Sequence, residues 1–302
     1  MAVGYLRAPA TTISERVQRT VALLGRRGYA VTPSKLGEIC LGGPISPDDV
    51  RWAVAASPYL AISEDLVVER EALEQAGAIR RRALNHDAES LHYVGLTVDF
   101  VRTLVGVAPF IRSVSIAGSL ASGGFRASDD VDLNLIVDDD HRHVAYAVVN
   151  LLGLLHALRF RGKPIDDLTR RPIAPRLMTA NLILELSQCR PLARDDEDMA
   201  FELLVSEPVF GPEALRDVID ENAGLLEHFP QLAERPAPLR IDGPRRRLPK
   251  ALYPKFLDAP ARLLGESAWR YMQWTRRHRP EALARVAFVR ATMRPYTLFD
   301  TK

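Results

Sequence analysis

Ser115-Ile116-Ala117-Gly118-Ser119-Leu120-Ala121-Ser122-Gly123-Gly124, followed by Ser128-Asp129-Asp130-Val131-Asp132-Leu133-Asn134-Leu135-Ile136-Val137, is the stretch whose reading decides the fold. A short strand, Ser113 to Ala117, ends at a Gly-Ser turn, where glycine lets backbone approach a ligand closely. With a helix starting at Leu120, free backbone N–H groups and the Ser119 hydroxyl are placed to hold phosphate oxygens. About ten residues later comes an apolar strand, Val131 to Val137. Alternate residues of a strand share a face, so Asp130 and Asp132 are expected to point the same way. Two neighbouring carboxylates repel and raise each other's pKa unless a cation lies between them. Mg²⁺, or Mn²⁺ in its place, suits such a pair, because it takes one or two carboxylates together with substrate phosphates. A cation there bridges a triphosphate and lowers the pKa of an attacking hydroxyl.

On either side of this stretch the chain reads as four parts, and strands alternating with helices predict an α/β (α+β) sheet layer for the core. Residues 1–70 hold three helices and a hairpin. Ser14 is the expected cap of a helix from Glu15 to Arg27, Thr32-Pro33-Ser34 starts a second, and Ser46-Pro47-Asp48-Asp49 starts a third. A hairpin turns at Glu64-Asp65. This order resembles a winged helix-turn-helix. Residues 71–109 read as a continuous helix with an Arg80-Arg81-Arg82 segment. Residues 110–230 form the α/β core, with a helix from His141 to Arg159, a strand from Leu177 to Leu186 and a helix from Asp195 to Val205. Residues 231–302 are a Pro- and Arg-rich connector followed by C-terminal helices.

A Gly-Ser turn, a spacer of about ten, and then Asp-hydrophobic-Asp-hydrophobic resembles the signature of the DNA polymerase beta-like nucleotidyltransferases. Gly118, Ser119, Asp130 and Asp132 match it position by position. The resemblance implies a small mixed sheet flanked by helices, phosphate contacts from Gly118 and Ser119, and catalytic metal ligation by Asp130 and Asp132. It extends over about Arg80 to Pro230, through a helix with Ala200, Glu202, Leu203 and Leu204 followed by Pro208-Val209, Asn222 and Pro230, which is similar to a poorly characterised prokaryotic subgroup. The implied activity is transfer of an NMP from an NTP to an acceptor hydroxyl on RNA, a small molecule or a protein.

That family carries a third carboxylate on a neighbouring strand, as base or further ligand. In the strand expected from Leu177 to Leu186, one face would carry Thr179, Asn181, Ile183 and Glu185. Glu185 is its only acid and is therefore the third catalytic candidate. Asn181 lies nearer the expected position but cannot act as a base. Asp166 and Asp167 read as loop residues. The alternative to an enzyme is a nucleotide-sensing or DNA-binding regulator with a degenerate core, and a toxin or antitoxin component acting on transfer RNA would merge both themes.

The bulk numbers restrict partners. With 302 residues, 47% hydrophobic and 26% charged, the chain supports a sizeable core. Its formal net charge of +2 gives no whole-chain attraction to nucleic acid, so RNA or DNA would need local Arg-rich patches. Candidates are Arg80-Arg81-Arg82, Arg245-Arg246-Arg247, Arg276-Arg277-His278-Arg279, and the group Arg159, Arg161 and Lys163 for phosphates. The third helix of the first part carries Arg51 and Trp52 but also two acids, which suits DNA poorly. Cys40 and Cys189 lack metal or redox spacing and are expected to be buried free thiols. The N-terminal residues lack a secretory pattern, and the apolar stretch Val144 to Leu158 is too short for a bilayer, so the expectation is cytoplasmic and no membrane partner.

Overall fold

The computed structural model describes residues 12–160, 163, 177–234, 241, 243 and 247–277, with isolated positions 280, 283, 284 and 287 beyond. The expected loop acids Asp166 and Asp167, and Arg161, Arg245, Arg246, His278 and Arg279, lie outside them. The described chain is mixed α/β and falls into two units. One runs up to Arg81 and includes Glu227–Gln231; the other holds Arg82–Leu226 and continues from Leu232.

The first unit contains α1 (Ile13–Arg26), α2 (Pro33–Glu38), α3 (Pro47–Ala56), β1 (Leu60–Ser63) and β2 (Leu66–Glu69). Its caps explain its boundaries. Thr12, not the expected Ser14, accepts from the N–H of Glu15, so α1 starts before Ser14 and takes Ser14 into its first turn. Thr32 caps α2, and Ser46 with Asp49 forms a reciprocal capping box on α3. The hairpin turns at Glu64 and Asp65, with φ of 52° and 62°, as expected of a tight two-residue connection. Val31 adds an antiparallel bridge to Val67. Val17, Val21, Leu36, Val50, Leu60 and Leu66 form the buried interior.

The second unit is built on α4 (Ala76–Val107), which begins in the first, then β3 (Ile111–Ala117), α5 (Gly118–Ser122), β4 (Val131–Val137), α6 (Arg142–Ala157) and β5 (Met178–Glu185). It continues with α7 (Glu197–Val205), β6 (Glu207–Phe210), α8 (Pro212–Glu221), α9 (Ala223–His228) and α10 (Asp258–Arg276). The sheet runs β5-β4-β3-β6, with β4 and β5 parallel and the other pairs antiparallel. Helix α6 lies on the crossover between the two parallel strands, as such a pair requires. Strand β6 has no counterpart in the sequence reading: it is four residues long and contains Pro208, which confines it to a sheet edge. Its Val209 carbonyl accepts from the N–H of Ile241.

One sheet face presents Val131, Leu133, Leu135 and Val137 to a core shared with Phe100, Leu104, Val144 and Val149. Fully burying each such side chain contributes about 1.5–3 kcal/mol. The other face presents Asp132, Asn134 and Ile136, and α7 and α8 cover its lower part with Leu203, Leu215 and Val218. Helix α10 packs on α6, where one carboxylate serves two helix starts. Asp258 opens α10, and its Oδ1 also accepts from the N–H groups of His143 and Val144 at 2.7 and 3.0 Å. No helix among the described residues is long and apolar enough to cross a membrane.

Candidate functional site

The Gly-Ser turn and the Asp-x-Asp strand meet because β3 and β4 are antiparallel neighbours. Ala117 pairs with Asp132, so the residue after Ala117 lies directly beside that carboxylate. That residue is Gly118, with φ of 62°, and a Cβ there would fall on Asp132 Oδ2. Both the left-handed backbone and the close approach require glycine. Helix α5 starts at Gly118 itself, not at the expected Leu120, and Ala117 at its N-cap has no side chain to satisfy the first-turn N–H groups. Ser119 is 9% exposed, and its hydroxyl makes no hydrogen bond among the described residues.

Asp130 directly precedes β4, Asp132 is its second residue, and the Val131 between them is fully buried in the core behind. Strand alternation therefore leaves both aspartates on the opposite face. The Asp130 carboxylate, half-buried, has no hydrogen bond or ion pair among the described residues. Asp132 Oδ1 accepts from Thr179 Oγ1 at 2.9 Å, across the parallel β4–β5 ladder. No three His, Cys, Asp or Glu side chains gather as a ligand group among the described residues. A two-carboxylate donor set is what Mg²⁺ or Mn²⁺ accepts when substrate phosphates and water supply the remaining oxygens.

The loop between the two motif halves is fastened to α4. Phe125 is fully buried against Tyr93, with ring centroids 4.6 Å apart, and its N–H donates to His86 Nδ1. Arg82 donates to the carbonyl of Gly124 and pairs with Asp129 at 3.2 Å. Arg126 pairs with the same carboxylate at 3.3 Å. Asp129, the acid that precedes the two candidates Asp130 and Asp132, is thus committed to holding the loop. Lys163 donates its Nζ to the Asp129 carbonyl at 2.6 Å, which brings one ammonium next to Asp130.

The structure does not bring Glu185 to this cluster. Strands β4 and β5 slip by one residue between Leu133, which faces Ala180, and Asn134, which faces Leu182. Asn181 is the extra residue of this bulge, and it reverses the facing of everything after it. Ile183 therefore joins the α4/α6 core, and Leu182 and Leu184 take the face expected for Ile183 and Glu185. Glu185 pairs with Val137 at the far end of the strand, where its Oε1 accepts the N–H of Asp140 at 2.8 Å.

Glu202, which the sequence marks only as part of the helix that resembles the prokaryotic subgroup and not as a site residue, occupies the space behind Asn181 instead. Glu202 of α7 is 8% exposed, and its Oε1 accepts from Asn181 Nδ2 at 3.0 Å and from Asn134 Nδ2 at 3.2 Å. Asn181 Nδ2 also donates to Asn134 Oδ1 at 2.9 Å. The available signal was a single acid inside the otherwise apolar run Met199–Val205.

Among the other candidates, Arg51 pairs with Asp48 on the exposed side of α3. Arg247 lies over the Phe210 ring at 5.8 Å and Arg277 over Trp274 at 4.3 Å. Cys40 and Cys189 are both buried free thiols. Burial pushes the Cys189 thiol up to about 12. No protein-family model, no curated protein and no solved structure matches the chain.

Proposed function

We propose that the second unit is a polymerase beta-like nucleotidyltransferase core that moves an NMP from an NTP to an acceptor hydroxyl. The observation that carries this reading is the contact between Gly118 and Asp132, which joins an uncapped helix start to a carboxylate strand at one point. The four-stranded sheet with one parallel pair supports it as well. Asp130 and Asp132 would hold Mg²⁺ or Mn²⁺. Gly118 and Ser119 would hold phosphate oxygens through backbone N–H groups and the free hydroxyl, with Lys163 neutralising phosphate charge nearby. In the transfer, the acceptor oxygen bonds to the α-phosphorus, the bond to pyrophosphate breaks, and the hydroxyl proton passes to water. Positioning and charge neutralisation supply most of the acceleration in such steps.

The test is incorporation of label from each α-labelled NTP, with Mg²⁺ or Mn²⁺, into total RNA, small molecules or protein. Label must appear with the native chain and disappear in the Asp130→Asn/Asp132→Asn variant; equal label in both overturns the metal-site assignment.

Asn181 in place of a third acid favours a second reading, a nucleotide-sensing regulator with a degenerate core. The first unit supports a winged-helix reading through its three helices, hairpin and Val31 bridge. Its α3 and turn carry Asp48, Asp49, Glu64 and Asp65, however, and Arg51 is already paired. This acidity favours packing or protein docking over DNA. A salt-sensitive, NTP-dependent gel shift on genomic fragments, without label incorporation, would decide for the regulator.

A further inference from the structure

We propose, resting on the nucleotidyl-transfer reading, that Glu202 is the positioning residue that completes this site. It sets the polarity of Asn181 so that Oδ1 of that amide serves as a neutral oxygen ligand beside Asp132. An asparagine amine carries two protons, and a carboxylate carries only acceptors. Both Asn181 protons have buried or half-buried destinations, Glu202 Oε1 and Asn134 Oδ1. The Asn134 amine in turn donates to the same Glu202 oxygen. Turning the Asn181 amide over would set its oxygen against two other oxygens, so the acceptor-only end of Glu202 fixes both amides at once. Asn181 Oδ1 is then the end left over, and it has no protein partner among the described residues. The bulge places Asn181 between Ala180 and Leu182, two residues after Thr179, the donor to Asp132. The site thereby gains a third protein oxygen without a third negative charge, while its acid stays one layer back on α7.

Partners behind a metal ligand typically account for about 10–100-fold in metal affinity. Calorimetric titration of the full chain with Mn²⁺ alone reads this directly, with no need for the acceptor. Glu202→Gln removes the acceptor-only end, lets both amides turn over, and should weaken Mn²⁺ binding about tenfold. The pair Asn181→Asp/Glu202→Gln restores one polarity, because the new glutamine amine donates to the new carboxylate. It should bind Mn²⁺ more tightly than the native chain and recover its melting temperature. A purely structural network predicts a lower melting temperature for Glu202→Gln with Mn²⁺ affinity within about twofold of native, and that outcome overturns the proposal. Asp132→Asn separates the cation site from the role of Glu202. Loss of Mn²⁺ binding there, with native affinity in both Glu202 variants, removes only the role of Glu202. Mn²⁺ binding unaffected by Asp132→Asn, or absent from the native chain, removes the cation site and this inference with it.

Discussion

Gly118 and Asp132 are in contact across the β3–β4 ladder with no room for a methyl group between them. Backbone conformation and carboxylate position are therefore coupled at this point. Gly118→Ala must accept a positive φ and displace the Asp132 side chain as well. The expected cost is about 2 kcal/mol of stability, combining the left-handed strain with the steric shift. Because Thr179 holds the other oxygen of that carboxylate, the displacement also breaks the 2.9 Å bond. Denaturant unfolding and Mn²⁺ titration should both register the change. A variant as stable as the native chain would show that the contact relaxes freely.

Glu185 gives the opposite expectation. It holds the Asp140 N–H at the far end of β5 and shares a capping arrangement with Gln188. Asp140 has a φ of 62°, so this bond fastens a tight turn after β4. Glu185→Ala should cost about 1 kcal/mol, or a melting shift of roughly 2–4 °C. Mn²⁺ affinity and any label incorporation should remain at native levels. Loss of incorporation in a stably folded Glu185→Ala chain would return this residue to the site.

The contrast between these two positions shows what the sequence could carry. Gly118, Ser119, Asp130 and Asp132 are legible because a turn and a strand a few residues apart encode their own geometry, and β4 runs from Val131 to Val137 as its apolar pattern predicts. Ser46-Pro47-Asp48-Asp49 was legible for the same reason: the cap, the proline and the reciprocal carboxylate all act within one turn. The facing of β5 was not, because the bulge at Asn181 carries no glycine or proline to mark it, and one extra residue reverses every later side chain. Glu202 was hidden by distance. Its partners Asn134 and Asn181 lie 68 and 21 residues away, and only the packing of α7 on the sheet brings them together. Strand β6 is not legible in the sequence, because Pro208 argues against a strand until its edge position is known.

Both cysteines should be silent toward thiol reagents in the folded chain. Cys40 and Cys189 are fully buried, and burial raises each thiol above its ordinary value. Alkylation requires the thiolate, so reaction near pH 8 is suppressed twice, by access and by protonation. Iodoacetamide at pH 8 should leave both unmodified in native buffer and label both in denaturant, as mass spectrometry would show. Rapid labelling of Cys189 under native conditions would contradict its burial.

Asp258 makes the attachment of α10 to α6 sensitive to acid. Burial pushes its carboxyl up, but the hydrogen bonds from the His143 ring and from the Val144 and His143 N–H groups outweigh that, and the net position is below the ordinary value. A carboxyl held lower in the folded chain stabilises the fold above its unfolded value of about 3.9. That contribution is lost as pH falls through the folded value. The charge also sits at the N-termini of two helices, where a negative group is favourable. Asp258→Ala should therefore cost about 1–2 kcal/mol at pH 7, through the lost acceptor for two N–H groups and the lost partner of His143. The gap between the native chain and this variant should narrow as pH drops below about 4, because the native carboxyl then protonates. Thermal melts of both chains at pH 7, 5, 4 and 3 measure the gap directly. A gap of constant size down to pH 3 would assign the effect to packing of the side chain and not to its charge.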